Sequence, residues 1–286
     1  MNFNKSRETS LRRRALLWGV AVALCLAIPG FYSGLKVQTY TIRSEKVTQA
    51  FRIALIADLH SCFYGEELIE AVHAQQPDLV LFGGDIFDDE LADDNAAALL
   101  SALGARYPCY YVTGNHEHWS GASAFAEKMR IVRESRVVRL DDEAVHITVR
   151  GVPVNLCGVG DPDGMHAADL DGALEKVAGT CGNGGFSILL SHRPERFAEY
   201  CRYPFDLVLS GHAHGGQWRI PGLVNGIFAP DQGLFPKYAG GIYTKNGTMM
   251  IVSRGLARET TPVPRFYNRP ELAIVDMLPS KNNTKN

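Results

Sequence analysis

The chain has 286 residues, 46% of them hydrophobic, and a formal net charge of −2. That length and apolar content suit one or two globular domains with a full core, a single α/β domain first among them, and the charge balance gives no electrostatic case for nucleic acid. Six cysteines stand singly at 25, 62, 109, 157, 181 and 201, with neither the pairing of a disulfide framework nor the spacing of a zinc ribbon.

The N-terminus carries Lys5, Arg7 and the run Arg12-Arg13-Arg14 within residues 1–14. Residues 15–35 then hold no charge, with the apolar centre "LLWGVAVALCLAI". Its length approaches the roughly 20 residues of a membrane helix. The positive-inside tendency places the basic end in the cytoplasm and the rest across the membrane, although Lys36, Arg43 and Lys46 on the far side weigh against it. A cleaved signal peptide is the rival, but Phe31 and Tyr32 stand where a small-residue cleavage site belongs. "RRALL" loosely matches a twin-arginine export signal. A buried amphipathic helix would need a polar face, which this stretch lacks. The expectation is an anchor, with the catalytic domain in residues 36–279 outside the cytoplasm and a polar tail at 280–286.

"KVQTYTIRSE" next alternates like an edge strand. Five segments then share one grammar: "FRIALIAD" (51–58), "PDLVLFGGD" (77–85), "PCYYVTGNHE" (108–117), "FSILLSH" (186–192) and "FDLVLSGHAH" (205–214). Each is a short apolar run, read as a strand buried on both faces, ending in a polar residue able to bind metal. Helical patterns fall at 66–75, 95–103, 123–135 and 169–178, so strand alternates with helix and the class is α/β. "AVHITVR", "VNLCGVG", "TMMIVSR" and "LAIVDM" read as additional strands, enough for a second sheet.

Sites in α/β folds form at the carboxyl ends of strands. Arriving there are Asp58 and His60, Asp85, Asn115 and His116, His192, and His212 with His214. Carboxylates, imidazoles and an amide carbonyl form the mixed donor set of borderline divalent metals such as Mn, Fe and Zn. They are too many for one tetrahedral site and fill two if a carboxylate bridges. In extended chain, residues i and i+2 share a side, so Asp58 pairs with His60 and His212 with His214. The glycines of "LSGHAHGGQW" would let the backbone approach the metals.

The ordered series Asp58-Leu59-His60, Gly84-Asp85-Ile86-Phe87-Asp88, Gly114-Asn115-His116-Glu117, His192 and Gly211-His212-Ala213-His214 resembles the calcineurin-like metallophosphoesterases. "APDQGLFPKYAGG", "SRGL" and "FYNRPEL" resemble the membrane-associated bacterial phosphodiesterase branch of that superfamily. The resemblance implies a four-layer α/β/β/α sandwich. It implies two divalent ions, manganese first and Fe, Zn or Mg after it, one on Asp58, His60 and His214, the other on Asn115, His192 and His212, with Asp85 bridging. It implies a phosphodiesterase that uses a hydroxide held between the metals, with His116 as the acid that protonates the leaving group.

Several residues carry two readings. Asp88 and Glu117 could orient a ligand, or Asp88 could simply start a helix. Arg193, Arg219, Arg254 and Arg258 are candidate phosphate clamps or solvated charges, with Arg254 the foremost substrate candidate. Cys62 is a packed thiol before it is a ligand. His118 and Trp119 read as a surface turn first and as lining of the substrate cleft second, and Asp161 as a residue closing the cleft. Location favours a lipid-linked or envelope phosphoester as the substrate. A pyrophosphatase splitting a nucleotide-lipid such as UDP-diacylglucosamine is the second enzyme reading and would need a cytoplasmic face. A non-catalytic scaffold ranks last, because no ligand is missing. The oligomeric state is left open.

Overall fold

The computed structural model describes residues 13–14, 16–21, 25, 27–164, 170–258 and 263–280. Most of the basic terminus, part of the expected anchor at 15–35, His166 and nearly all of the tail lie outside them. Among the described residues, no helix is long and apolar enough to cross a membrane.

The first half of the chain runs β1 (Lys36–Ser44), β2 (Phe51–Ile56), α1 (Glu66–Gln75), β3 (Leu79–Gly83), α2 (Asp94–Gly104), β4 (Cys109–Val112), α3 (Asn115–Trp119), α4 (Ala122–Glu134) and β5 (Val138–Arg139). The second half runs β6 (Glu143–Val149), β7 (Val152–Gly158), α5 (Leu170–Ala178), β8 (Phe186–Leu190), α6 (Phe197–Tyr200) and β9 (Leu207–Ser210). It closes with β10 (Phe228–Ala229), β11 (Gly233–Leu234), β12 (Gly241–Lys245), β13 (Thr248–Val252) and β14 (Glu271–Pro279). All four helical patterns form helices. The strand reading of 108–117 runs too far: β4 stops at Val112, and Gly114-Asn115-His116-Glu117 caps and opens α3.

Two six-stranded sheets result, in the orders β1-β14-β2-β3-β4-β5 and β12-β13-β9-β8-β7-β6. The strands β2, β3 and β4 are mutually parallel, as are β7, β8, β9 and β13. Every residue of β3, β8 and β9 is buried, which is why those segments are continuous apolar runs rather than alternating ones. β1 is an edge strand, as its alternation suggests, paired along its full length with β14.

The side chains sort into three apolar layers. Ile53, Leu55 and Leu81 of one sheet meet Leu156, Ile188 and Leu209 of the other between the sheets. The outer face of the first sheet (Ala54, Val80, Phe82) receives Leu68 and Val72 of α1, Leu99 and Leu103 of α2, and Val132 of α4. The outer face of the second (Leu189, Val208, Met250) receives Leu174 and Val177 of α5 and Phe197 of α6. That is the expected α/β/β/α order. With the central parallel strands running together, their carboxyl ends open on one rim.

Candidate metal centre

The ligand candidates sit in the loops just past the strands. Asp58 and His60 follow β2, Asp85 follows β3, Asn115 and His116 open α3 after β4, His192 follows β8, and His212 and His214 follow β9. The pairs do not reach the rim by strand alternation. Asp58 (φ 50°), His60 (φ 48°), Asp85 (φ 51°), His212 (φ 64°) and His214 (φ 45°) all take left-handed backbone, a conformation that costs a non-glycine residue about 1–3 kcal/mol. The chain turns sharply at each one, and the turns aim the side chains inward.

Glycines serve these turns by leaving space. A Cβ on Gly114 would lie 2.2 Å from Asp85 Oδ1, and one on Gly211 would lie 2.8 Å from Asp58 Oδ2. The missing side chains make room for the carboxylates of two candidate ligands.

Three groups form. Asp58, His60 and His214 offer ligand atoms within 4.8 Å of one another, as do Asp85, His192 and His212, and as do His60, Asp85 and His116. Asp85 Oδ2 lies 2.9 Å from His192 Nε2 and 3.7 Å from His60 Nε2, so it stands between the first two groups. His212 Nδ1 faces His192 Nε2 at 3.2 Å. Three imidazoles have their far nitrogen held: His192 Nδ1 donates to the Gly83 carbonyl at 2.7 Å, His60 Nδ1 meets Asp88 Oδ2 at 3.1 Å, and His212 Nε2 meets Asp231 Oδ2 at 2.8 Å. Such partners fix the ring and the tautomer, leaving the inner nitrogen as a lone pair.

These residues suit a bound cation. Asp58 Oδ2, His60 Nε2, Asn115 Oδ1 and His214 Nδ1 are buried and have no hydrogen-bond partner. An isolated polar atom in that state costs about 1–3 kcal/mol, and four of them converge on one rim. Electrostatics tell the same story. Burial pulls His192 down, yet Asp85 and Asp58 outweigh it and raise the ring to about 10. Burial, with His60 and Arg265 nearby, holds His214 well below its usual value. A divalent ion would supply the positive charge that a proton on His192 otherwise carries, and His214 already offers a neutral ring. The donors fit two ions.

His116 stands outside the Asp58 and His192 groups but shares one with His60 and Asp85 and another with Asp88 and Asp89. Its ring packs edge-on to His60 at 4.3 Å and against Trp119 at 4.7 Å, and its Nδ1 lies 2.5 Å from Asp89 Oδ1. Its backbone N–H donates to Asp85 Oδ1 at 2.9 Å. Trp119 is not a bystander on a surface turn: with His116, Asp163, Phe228 and Asp231 it lines the cleft of about 440 Å³ over the rim. His118 points elsewhere, stacking on Phe125.

Glu117 does not touch the His116 ring. Its buried carboxylate accepts the N–H groups of Asp85, Ile86, Phe87 and Gly114 and the hydroxyl of Tyr111, at 2.7–3.0 Å. It thereby fixes the Asp85 turn and caps α3. Arg193 is no free phosphate clamp, because Asp161 binds it in a fork at 2.6 and 2.7 Å and Asp163 and Asp231 take the rest. Asp161 is thus committed to that arginine. Arg254 does not line the cleft at all; it opens on a separate cavity with Arg219. Cys62 is a packed thiol that accepts the Arg258 N–H.

Sequence reasoning missed Asp89 and Asp231. Asp89 directly follows Asp88 in "FDDE", so a carboxylate was visible there, but nothing told the two apart. Asp231 in "APDQG" sits in a loop whose approach to His212 only the tertiary structure reveals.

A family model described as calcineurin-like phosphoesterase matches residues 51–216. An uncharacterized metallophosphoesterase of Helicobacter pylori strain J99 is 29% identical over 262 residues, 87% of this chain and 66% of its own length, so the chain spans about two thirds of that relative. The phosphodiesterase YaeI of Escherichia coli K12 is 29% identical over 242 residues, covering 80% of this chain and 82% of that one. Among solved structures, TT1561 of Thermus thermophilus superposes with a TM-score of 0.47 at 14% identity, over 73% of this chain and 92% of that chain.

Proposed function

The chain belongs to the calcineurin-like phosphoesterase family of metal-dependent hydrolases, and from that premise we propose that it is a dinuclear phosphodiesterase with the ligand division given above. One ion would be held by Asp58, His60 and His214, the other by Asn115, His192 and His212, with Asp85 shared. The observation that carries this is the set of four buried, unpartnered donor atoms on Asp58, His60, Asn115 and His214. Mixed nitrogen and oxygen donors suit manganese first, with Fe, Zn or Mg as alternatives.

When bound, two divalent ions supply an activated water at neutral pH and neutralise charge on the phosphoryl oxygens. The chain's own residues do the rest. Asp88, Asp231 and the Gly83 carbonyl keep three imidazoles in the metal-binding tautomer. Glu117 holds the Asp85 turn in place. His116, its Nδ1 tied to Asp89, carries a proton on Nε2 and gives it to the departing oxygen. Trp119, Phe228 and Val263 give the cleft an apolar wall on which a substrate group can pack.

We place the domain on the outer face of the cytoplasmic membrane, held by residues 15–35, and its substrate among lipid-linked or envelope phosphoesters. The support is the uncharged stretch after Arg12-Arg13-Arg14 and the gain in local concentration that an anchor brings. The test is metal content with turnover. Wild-type protein should hold two ions per chain by elemental analysis, and Asp85→Asn should weaken both sites. His116→Gln should keep its metal yet lose turnover of poor-leaving-group diesters by ~10²–10⁴-fold. A single ion at saturation in the wild type would overturn the dinuclear centre.

A further inference from the structure

A second cavity, of about 420 Å³, opens away from the metal cleft between the loop 219–225, Arg254 and Tyr267. Its lining includes two arginines and no acid. Arg254 has only 19% of its side chain exposed and donates no hydrogen bond to any described residue. Its Nε lies 3.2 Å from Glu271 Oε2, out of line for a bond, while the other oxygen of Glu271 accepts the Tyr40 hydroxyl at 2.8 Å.

Arg219 comes alongside over Gly240. A Cβ there would lie 3.0 Å from Arg254 Cγ and 3.3 Å from Arg219 Nη1, so the two side chains share the space that a glycine leaves. Asn225 and the Gly215 carbonyl hold the Arg219 fork in position, and Asn225 is itself anchored on the Gly240 carbonyl. Lys36 lies within electrostatic reach of the pair. Burial first and then Arg254 push Arg219 down to about 10. Three cations, Arg254, Lys36 and Arg219, thus surround the one buried carboxylate of Glu271. That leaves an excess of positive charge, which a further anion would offset.

We propose that this cavity is a second anion site, in which Arg254 and Arg219 together hold a phosphate-bearing group. Two adjacent guanidinium groups match the oxygens of a tetrahedral phosphate: Arg254 has a fork able to bind two at once, and Arg219 offers the N–H groups that Gly215 and Asn225 leave over. The apolar rim says what carries the phosphate. Ile220 and Leu223 line the same cavity, and Leu223 is 84% exposed. Tyr267, on the opposite wall, donates its N–H to the Gly30 carbonyl at 2.6 Å, and Phe31 packs on Phe266 at 5.0 Å. The cavity therefore lies where the apolar N-terminal stretch joins the domain, so a phospholipid headgroup and a soluble phosphate ester are the two sources to separate. The lipid source rests on the membrane placement above; the anion site does not.

The test uses the full chain, metal-loaded, in non-ionic micelles. Titration calorimetry with inorganic phosphate should show two classes of site. Chelation should remove one, and Arg254→Gln or Arg219→Gln should weaken the other at least tenfold, while Arg130→Gln, on the exposed face of α4, changes neither. Phosphatidylglycerol added to the micelles should occupy the arginine-dependent class more tightly than inorganic phosphate, and Leu223→Ser should abolish that margin. Equal affinity for the two probes, still dependent on Arg254, supports the anion site and assigns it to soluble esters. A single class of phosphate site that chelation removes entirely, or binding that Arg254→Gln and Arg254→Lys leave unchanged in folded protein, overturns the proposal. Loss of the chelation-sensitive class alone would instead strike at the metal centre.

Discussion

Replacing Asp89 with asparagine isolates the one carboxylate that touches His116 and no other imidazole of the rim. The substitution keeps the size and an acceptor oxygen at the 2.5 Å contact with Nδ1, and it removes the carboxylate charge from that contact. The side chains of His116 and Asp89 are 22% and 26% exposed, so solvent screens the pair in part. A hydrogen bond to a charged group contributes about 1.5–3 kcal/mol when shielded and an exposed pair less than about 1 kcal/mol. The intermediate case, ~1–2 kcal/mol, corresponds to about a tenfold loss of turnover. The assay compares an alkyl phosphodiester with a nitrophenyl one, in Asp89→Asn, His116→Gln and the double variant. Asp89→Asn should lose about tenfold on the alkyl ester and clearly less on the aryl ester, whose leaving group departs unprotonated. If Asp89 acts only through His116, the double variant is no slower than His116→Gln. A further drop in the double variant, equal losses on both esters, or release of metal by Asp89→Asn alone would refute that coupling.

Glu117→Gln should lower the melting temperature and loosen metal together. An amide in that pocket turns an N–H toward at least two of the five donors that the carboxylate now accepts, a loss of ~2–6 kcal/mol, and an unchanged melting curve would contradict it. Asp141 is raised to about 6 by burial, despite its bonds from Thr113. The folded state therefore favours its proton, and the contribution of Asp141 to stability declines as pH climbs from the unfolded carboxylate range to about 6, then levels. Asp141→Asn should melt like wild type near pH 4 and gain up to ~3 kcal/mol by pH 7; a difference that ignores pH would refute this. Deleting residues 1–27 should give a soluble, active domain, whereas deleting through residue 45 removes β1, paired with β14 from Lys36 to Ser44, and should yield aggregate. A reporter fused after Asn286 should work only in its exported form; activity in the cytoplasm alone would reverse the proposed orientation.

What the sequence discloses here follows from how local its causes are. The buried runs of β3, β8 and β9 are apolar because both faces are covered, so their position and the polar residue that ends each one can be read directly. The candidate ligands are found the same way, as polar residues where an apolar run stops. How each side chain turns inward is not a strand property. It depends on left-handed residues at Asp58, His60, Asp85, His212 and His214, whose cost only the assembled loops sustain. Glu117 holds one of those turns from 32 residues away in sequence, and Asp231 sits on His212 from a loop with no periodic signal. "FDDE" shows most sharply where local reasoning ends. Asp88 and Asp89 are chemically identical neighbours, yet the first meets His60 and the second meets His116. A turn after Phe87 sends successive carboxylates to different rings, so one backs a candidate metal ligand and the other a candidate acid. Composition and spacing define the chemistry available at the rim, and the division of labour within it is decided by backbone direction over single residues.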